Sequence, residues 1–457
     1  MSLGASEMKE LGNEKQDGVS TTPSAALGTF AATRIRNLLT LLGRRSSLTL
    51  ADQVVVSITN FSATILIGRF CRREELGLYM LGYSLLLFAV AVQQMLISSP
   101  YILIRPRLND EQAIRYTGGA YAQQLLLGCA LCISLLLASF FCRGSRESLA
   151  IVLASLALSS PLFLLKEMFR RVCFAHLDVV SALAMDCVMC VIQVGLLVGL
   201  ASKGILSASF ANLCSAASCG VALALTLVLS RRRYAFSMQD MLPTLLRNWN
   251  TGRWIFGSQI LWAGTLYLYP WLLVRLQGEV ATGIWAACFA ITNLGNPLLL
   301  GLQNYIEPKV SHAWAEGGVE RMRPIVWKFT GVLTGTMLAF SALLLAAGNW
   351  LLTLLYGAKF AGNGITVFLL SLGFAAGAAG FAISCGYFVS GRGAIDLRIS
   401  VVYPVVLLVC GLPLIRAHSV AGAAVSVLVA YLIASSLRAL QFMAVFRRRT
   451  APVLQAA

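Results

Sequence analysis

The chain has 457 residues, of which 58% are hydrophobic and only 12% charged, and its mean hydropathy is +0.77. Soluble domains carry about 25% charged residues, so the composition excludes an ordinary soluble fold and implies an integral membrane protein. The net charge of +17 has no soluble domain to carry a basic stripe for nucleic acid, and it reads as the Lys/Arg bias of cytoplasmic loops.

Residues 1–25 are rich in Gly, Ser, Thr and charge, a composition expected to be disordered. Residues 26–45 place Leu27, Phe30, Ile35, Leu38, Leu39 and Leu42 opposite Arg34, Arg36, Arg44 and Arg45. That pattern is either an amphipathic helix on anionic headgroups or a solvated basic tail. Residues 1–47 are polar and basic before any long apolar run, so no cleavable signal peptide is expected.

The apolar runs that come next are continuous and do not alternate, which predicts helices and not a barrel. Six spans are expected at 48–69, 78–104, 119–141, 148–165, 180–200 and 204–229. Six more are expected at 253–276, 281–303, 327–348, 364–388, 399–415 and 418–445. The predicted fold is thus an all-α polytopic membrane protein of about twelve transmembrane helices. Its expected parts are a cytoplasmic tail (1–47), an N-terminal six-helix lobe (48–230), a linker (231–252), a C-terminal six-helix lobe (253–446) and a second tail (447–457). The linker contains Pro243 and suits a short amphipathic helix at the interface. With both termini in the cytoplasm, about three-quarters of the 36 Lys and Arg residues lie inside. Arg231-Arg232-Arg233 and Arg447-Arg448-Arg449 close the two halves alike.

The halves repeat each other. Gln53, Arg69 and Gly77 recur as Gln259, Arg275 and Gly283 at a constant offset of 206 residues. Thr59, Leu66, Phe61, Tyr79 and Tyr83 fall on Thr265, Leu272, Tyr267, Trp285 and Phe289, and Tyr101-Ile102 returns as Tyr305-Ile306. Two six-helix copies share one orientation, so the pseudo-symmetry axis is expected along the membrane normal. Gln53 would then face Gln259 near the cytoplasm, and Arg69 would face Arg275 near the outer mouth.

The opening Leu50-Ala51-Asp52-Gln53, Ile67-Gly68-Arg69-Phe70 and Glu74-Glu75-Leu76-Gly77-Leu78-Tyr79 resembles polysaccharide-transporter flippases, O-antigen type included, of the multidrug/oligosaccharidyl-lipid/polysaccharide exporter superfamily. Lys166-Glu167-Met168-Phe169-Arg170-Arg171-Val172-Cys173-Phe174-Ala175, Tyr269-Pro270-Trp271-Leu272-Leu273 and Asn296-Pro297-Leu298-Leu299-Leu300-Gly301 extend the likeness over roughly residues 48–446. The resemblance implies two lobes around a central cavity. It also implies flipping of a lipid-linked oligosaccharide from the cytoplasmic to the periplasmic leaflet of the bacterial inner membrane. Membrane lipids and a polysaccharide polymerase with chain-length machinery are the partners it suggests. Twelve expected spans, where lipid II flippases of this superfamily usually have fourteen, favour O-antigen, exopolysaccharide or capsule units as cargo.

A charge inside a span costs several kcal/mol and usually faces a bundle interior. Asp52, Asp186 and Glu307 are therefore candidates for ion coupling, or else interfacial residues at helix ends. Arg69 and Arg275 form a cationic pair at the outer mouth if they point inward, and snorkel to headgroups if they point outward. Arg105, Lys166, Arg170, Arg171 and Arg253 sit at expected cytoplasmic ends, where they either contact substrate phosphate or only mark topology. Gln53, Gln259, Tyr267, Tyr269, Asn293 and Asn296, with Trp271, are the polar and aromatic groups expected along a cavity. Pro270 and Asn296-Pro297 permit kinks in the same two helices. Asn60, Gln93, Gln94, Gln193, Asn212 and Asn304 read as interhelical glue.

Gly195-x-x-x-Gly199, Gly331-x-x-x-Gly335 and Gly373-x-x-x-Gly377 are expected to be close-packing faces. Cys129-x-x-Cys132 and Cys187-x-x-Cys190 lie in apolar runs with no His nearby, so the 12 cysteines read as small hydrophobes, not metal ligands. No P-loop, nucleophile elbow or metal-spaced histidine set appears among His176, His312 and His418; neither enzyme activity nor a cofactor is expected. The rival readings are a drug/cation antiporter of the same superfamily, with an anionic cavity, and a membrane-embedded polysaccharide-assembly enzyme. A structural scaffold is the third.

Overall fold

The computed structural model describes residues 44–447 except 106, 107, 145, 177 and 230–236. It gives backbone alone for 44–47, 229, 251–255, 300, 301, 304 and 447. The disordered and amphipathic stretches expected before residue 44, the Arg231-Arg232-Arg233 triplet and the C-terminal tail lie outside the described residues. Contacts separate Met1–Thr49 from Leu50–Ala457. Of the first unit only the start of a helix is described; the helical bundle belongs to the second.

The described chain is helical throughout, with no strand among the described residues. We number the helices α1 (Arg44–Phe70), α2 (Arg73–Ile104), α3 (Asp110–Cys142), α4 (Glu147–Ala175), α5 (Val179–Ser202) and α6 (Ala208–Leu229). The second half comprises α7 (Met241–Gln277), α8 (279–316), α9 (319–356), α10 (Gly364–Val389), α11 (393–418) and α12 (420–447). The breaks between α8 and α9 and between α11 and α12 are single sharp turns. Gly317 and Gly318 leave helical geometry at the first, Gly318 with φ 55°, and Ser419 at the second with φ 51°. Nine stretches among the described residues are apolar and long enough to cross a membrane, two of them containing these turns.

Helix starts follow from local chemistry. Asn109 accepts from the Gln112 amide (2.9 Å) ahead of Asp110 and Glu111 in the first turn of α3. Asp178 does the same for Ser181 at the start of α5 (3.2 Å). The capped, acidic first turn of α3 starts that helix at Asp110 and not at 119. Without a side-chain cap, α7 begins at Met241 with Pro243 in its first turn and absorbs most of the expected linker. Within the first half α4 packs on α3 and α6; within the second α10 packs on α9 and α12. Between halves, α2 packs against α7 and α8.

The sequence repeat is a spatial repeat at that seam. A Cβ on Gly77 would strike the Glu279 carbonyl and lie 3.0 Å from the Gly283 nitrogen. One on Gly283 would strike the Arg73 carbonyl and lie 3.3 Å from the Gly77 nitrogen. Each contact maps onto the other by the offset of 206, as a two-fold axis requires. Tyr79 stacks on Tyr83 (5.8 Å) as Trp285 stacks on Phe289 (6.0 Å). Thr59 and Thr265 each donate to the carbonyl four residues back.

The small-residue motifs divide. Added methyls at Gly373 and Gly377 would meet Leu428 and Tyr431 of α12, so that face packs as expected. Gly195, Gly199, Gly331 and Gly335 have no neighbour within 4 Å, which corrects the expectation for those two pairs. A GxxxG spacing fixes only which face the glycines share, not whether another helix lies over it.

Candidate functional site

Five charged side chains meet in the core of the first half. On α4, Lys166, Glu167 and Arg170 project from one side because residues three and four apart share a helix face. Asp52 from α1 and Asp186 from α5 come to meet them. Lys166 Nζ lies 2.8 Å from Glu167 Oε1 and 2.6 Å from Asp186 Oδ1. Arg170 Nε lies 2.7 Å from Asp186 Oδ2, and its Nη1 lies 3.4 Å from Glu167 Oε2. Arg170 also donates to Asp52 Oδ2 through both Nε (3.1 Å) and Nη2. None of the five is more than 7% exposed, and Asp52 is not exposed at all.

Breaking such a buried network strands a charge at a cost of about 3–5 kcal/mol. The arrangement also has a chemical consequence. Three carboxylates face two cations, so the five groups carry one surplus negative charge when all are ionised. Asp52 Oδ1 is buried with no hydrogen-bond partner among the described residues. Among these five groups, uptake of one proton would bring the charge to zero. Arg171, the next residue, donates to Gln94 (3.5 Å) and also interacts electrostatically with Glu167, Asp52 and Asp186, so it partly offsets that surplus from the cluster's edge.

The second half holds a smaller analogue that the sequence pattern does not single out. Arg438 of α12 donates to Asp396 Oδ1 (2.7 Å), to the Tyr403 hydroxyl (2.9 Å) and to Ser400 Oγ (3.2 Å). Ser384 donates to Asp396 as well (2.7 Å), and Tyr387 donates to the Arg438 carbonyl (2.9 Å). The available signal is an Asp at the mouth of the eleventh span and a lone Arg within the twelfth. By sequence alone Arg438 counts only as a topological cation.

The other candidates are spread along the helices. Arg69 is exposed and donates to the Leu354 carbonyl (2.6 Å), capping the last turn of α9. Lys359, just beyond α9, reaches back to the carbonyls of Arg69 (3.5 Å) and Cys71, capping α1. The two caps are reciprocal across the halves. Thr64 and Tyr356 share a hydrogen bond (3.1 Å) one turn deeper. Arg275 is exposed in the last turn of α7.

Gln53, Gln259 and Tyr267 are half-buried. Tyr269 is buried, bonded to Ser426 (2.8 Å) and stacked on Trp285. Asn296 donates to Asn293 (3.0 Å) at the short turn inside α8. Trp271 of α7 donates to Ser84 of α2 (3.0 Å), adding a polar contact to the seam. Glu307 is exposed on α8, Arg105 is half-buried at the end of α2, and the Arg253 side chain lies outside the described residues. Among the described residues no group of His, Cys, Asp and Glu could hold a metal ion.

No protein-family model matches the sequence, and no curated protein matches it. Solved structures do match. A multidrug resistance MATE family transporter of the MOP superfamily, in its inward-facing conformation, superimposes with a TM-score of 0.73 at 16% identity. The match covers 86% of this chain and 96% of that one. The fold is that of the MATE transporters. A MOP superfamily transporter from Pyrococcus furiosus, described as having a binding pocket of reversed polarity and a different function, scores 0.64 at 15% identity over 88% and 95% of the two chains. An outward-facing MATE structure scores 0.63 at 16% identity over the same shares. The chain thus superimposes better on the inward-facing MATE arrangement than on the outward-facing one.

Proposed function

We propose that this chain is an ion-coupled exporter that works by alternating access, its two six-helix lobes rocking about the α2–α8 crossing. The cargo favoured by the buried charges is an amphipathic organic molecule, cationic or neutral. The observation that carries this is the five-residue cluster of the first lobe, with its surplus carboxylate. Lys166 and Arg170, which a pyrophosphate would need, are already held by Asp52, Glu167 and Asp186. A buried group of carboxylates that can take up a proton, with its cations already paired, suits proton-coupled export. The MATE neighbours are described as multidrug resistance transporters, which supports the same direction.

Uptake of a proton by the cluster weakens the hold of Asp52 and Asp186 on α4, the element that carries both cations. The coupled step is therefore a change in how α1 and α5 pack on α4. The bacterial inner membrane is the proposed location. A second reading, flipping of a lipid-linked oligosaccharide, is favoured by the Glu74–Tyr79 turn and the residues that resemble polysaccharide transporters.

The test is transport by purified protein in proteoliposomes under an imposed pH gradient. One arm offers a cationic amphipathic dye and the other a polyprenyl-pyrophosphate-linked sugar. Gradient-driven movement of the dye supports the exporter. Movement of the lipid-linked sugar with an immobile dye overturns it in favour of the flippase.

A further inference from the structure

The helix α7 belongs to two places at once. Its 37 residues run unbroken from Met241 to Gln277, about 55 Å, whereas a bilayer core needs only about 20 residues. The surplus is the first dozen residues, and these are fastened to the other lobe. Asn248 is wholly buried: it donates to Gln123 Oε1 (2.9 Å) and accepts from the Tyr116 hydroxyl (2.6 Å), both on α3. Gly119 of α3 has no side chain because Thr244 and the Asp240 carbonyl occupy its Cβ position. A buried amide with both ends satisfied, set over a glycine, is a specific joint and not a casual contact.

The opposite side of this segment is apolar and bare. Leu242, Leu245, Leu246 and Trp249 are 59%, 41%, 56% and 44% exposed. Arg247 lies over the Tyr116 ring, 5.8 Å from its centre. On α3, on either side of the joint, Ile114 and Leu126 are 56% and 55% exposed, as in a lipid-facing helix. A bare Leu/Trp face flanked by arginine, at the cytoplasmic end of a spanning helix, has the chemistry of the headgroup boundary of an anionic leaflet.

We propose that residues 241–250 are a lipid-seated lever: its apolar face rests in the cytoplasmic leaflet, and its Asn248 joint ties α7 of the second lobe to α3 of the first. Anionic lipid that holds the lever in place fixes the angle between the lobes, because α7 cannot swing without bending or breaking the joint. The proposal rests on the two-lobe rocking reading but not on any cargo.

The experiment measures the distance between spin labels at Lys203 and Ala361, exposed sites on the two lobes, in full-length protein with its native cysteines replaced. The samples are phosphatidylcholine vesicles with and without about one-third phosphatidylglycerol. In the parent chain the ratio of the two distance populations shifts by roughly fivefold or more when the anionic lipid is added. Asn248→Ala cuts the joint and Leu245→Gln with Leu246→Gln unseats the face; each removes that shift while the protein stays folded and monodisperse. A parent chain blind to the anionic lipid, or variants that respond as the parent does, overturns the lever. Loss of dye transport with the lipid-dependent distances intact counts against the exporter reading alone.

Discussion

Gly77 and Gly283 lie against each other where α2 crosses α8, and each leaves room for a carbonyl that its repeat partner's neighbour supplies: Glu279 for one, Arg73 for the other. A side chain at either position must displace backbone from the opposite lobe. Overpacking of this kind costs about 1–3 kcal/mol, enough to change a two-state population by about 5- to 160-fold. Gly283→Leu is expected to hold the seam open on the outer side. Labelling of an outer-seam cysteine by an impermeant reagent should rise, and dye export should fall by about tenfold. Unchanged labelling would mean the crossing does not gate.

Removing a cation from the cluster should be worse than removing an anion. Arg170→Met leaves Asp52 without its cation and deprives Glu167 and Asp186 of one of theirs, and should lower stability by about 3–5 kcal/mol. Asp52→Asn keeps a hydrogen-bonding group and removes the surplus charge. It should fold with near-normal stability yet lose the pH dependence of transport. Denaturation midpoints beside transport at several pH values separate the two.

The second-lobe group Asp396–Arg438 has its donors and acceptors matched, with no surplus charge. Arg438→Met should destabilise by roughly 1.5–3 kcal/mol, as for hydrogen bonds to a charged group. The coupling ratio of whatever protein survives should match the parent's. A changed ratio of protons to cargo would promote this group from brace to coupling site.

At the outer seam Glu279, just ahead of the expected eighth span, has its pKa raised by burial and by Glu74 and Glu75, with Arg146 opposing. The closed seam therefore binds the proton more tightly than a solvated carboxylate of 4.5 does. Closure is favoured below that value and loses this contribution as pH rises through the raised one. Acidifying the outer side should reduce outer-seam labelling, and Glu279→Gln should flatten the response.

Much of the fold is legible in the residues. Gln, Arg and Gly repeated inside apolar helices are unusual enough to reveal two halves, and the Gly77–Gly283 contact turns that offset into a symmetry axis. The cluster is half legible. Asp52, Lys166, Arg170 and Asp186 each stand out as charges in or beside spans, but the sequence suggests separate tasks for them. Their union depends on how α1, α4 and α5 pack, and sequence spacing carries no such information across helices. Glu167 stands out only as part of a longer motif. Arg69 shows the same limit from the other side. It donates to a backbone carbonyl at a helix end 285 residues away, a contact no local pattern announces.

The most direct test of coupling through the cluster is proton release on cargo binding. Purified protein in weakly buffered detergent solution near neutral pH is mixed with a cationic amphipathic dye while the pH is followed. A cluster with one surplus carboxylate predicts release of about one proton per bound dye, and no release from Asp52→Asn. Dye binding without proton release in the parent, or equal release from the Asp52→Asn variant, would contradict coupling through this cluster.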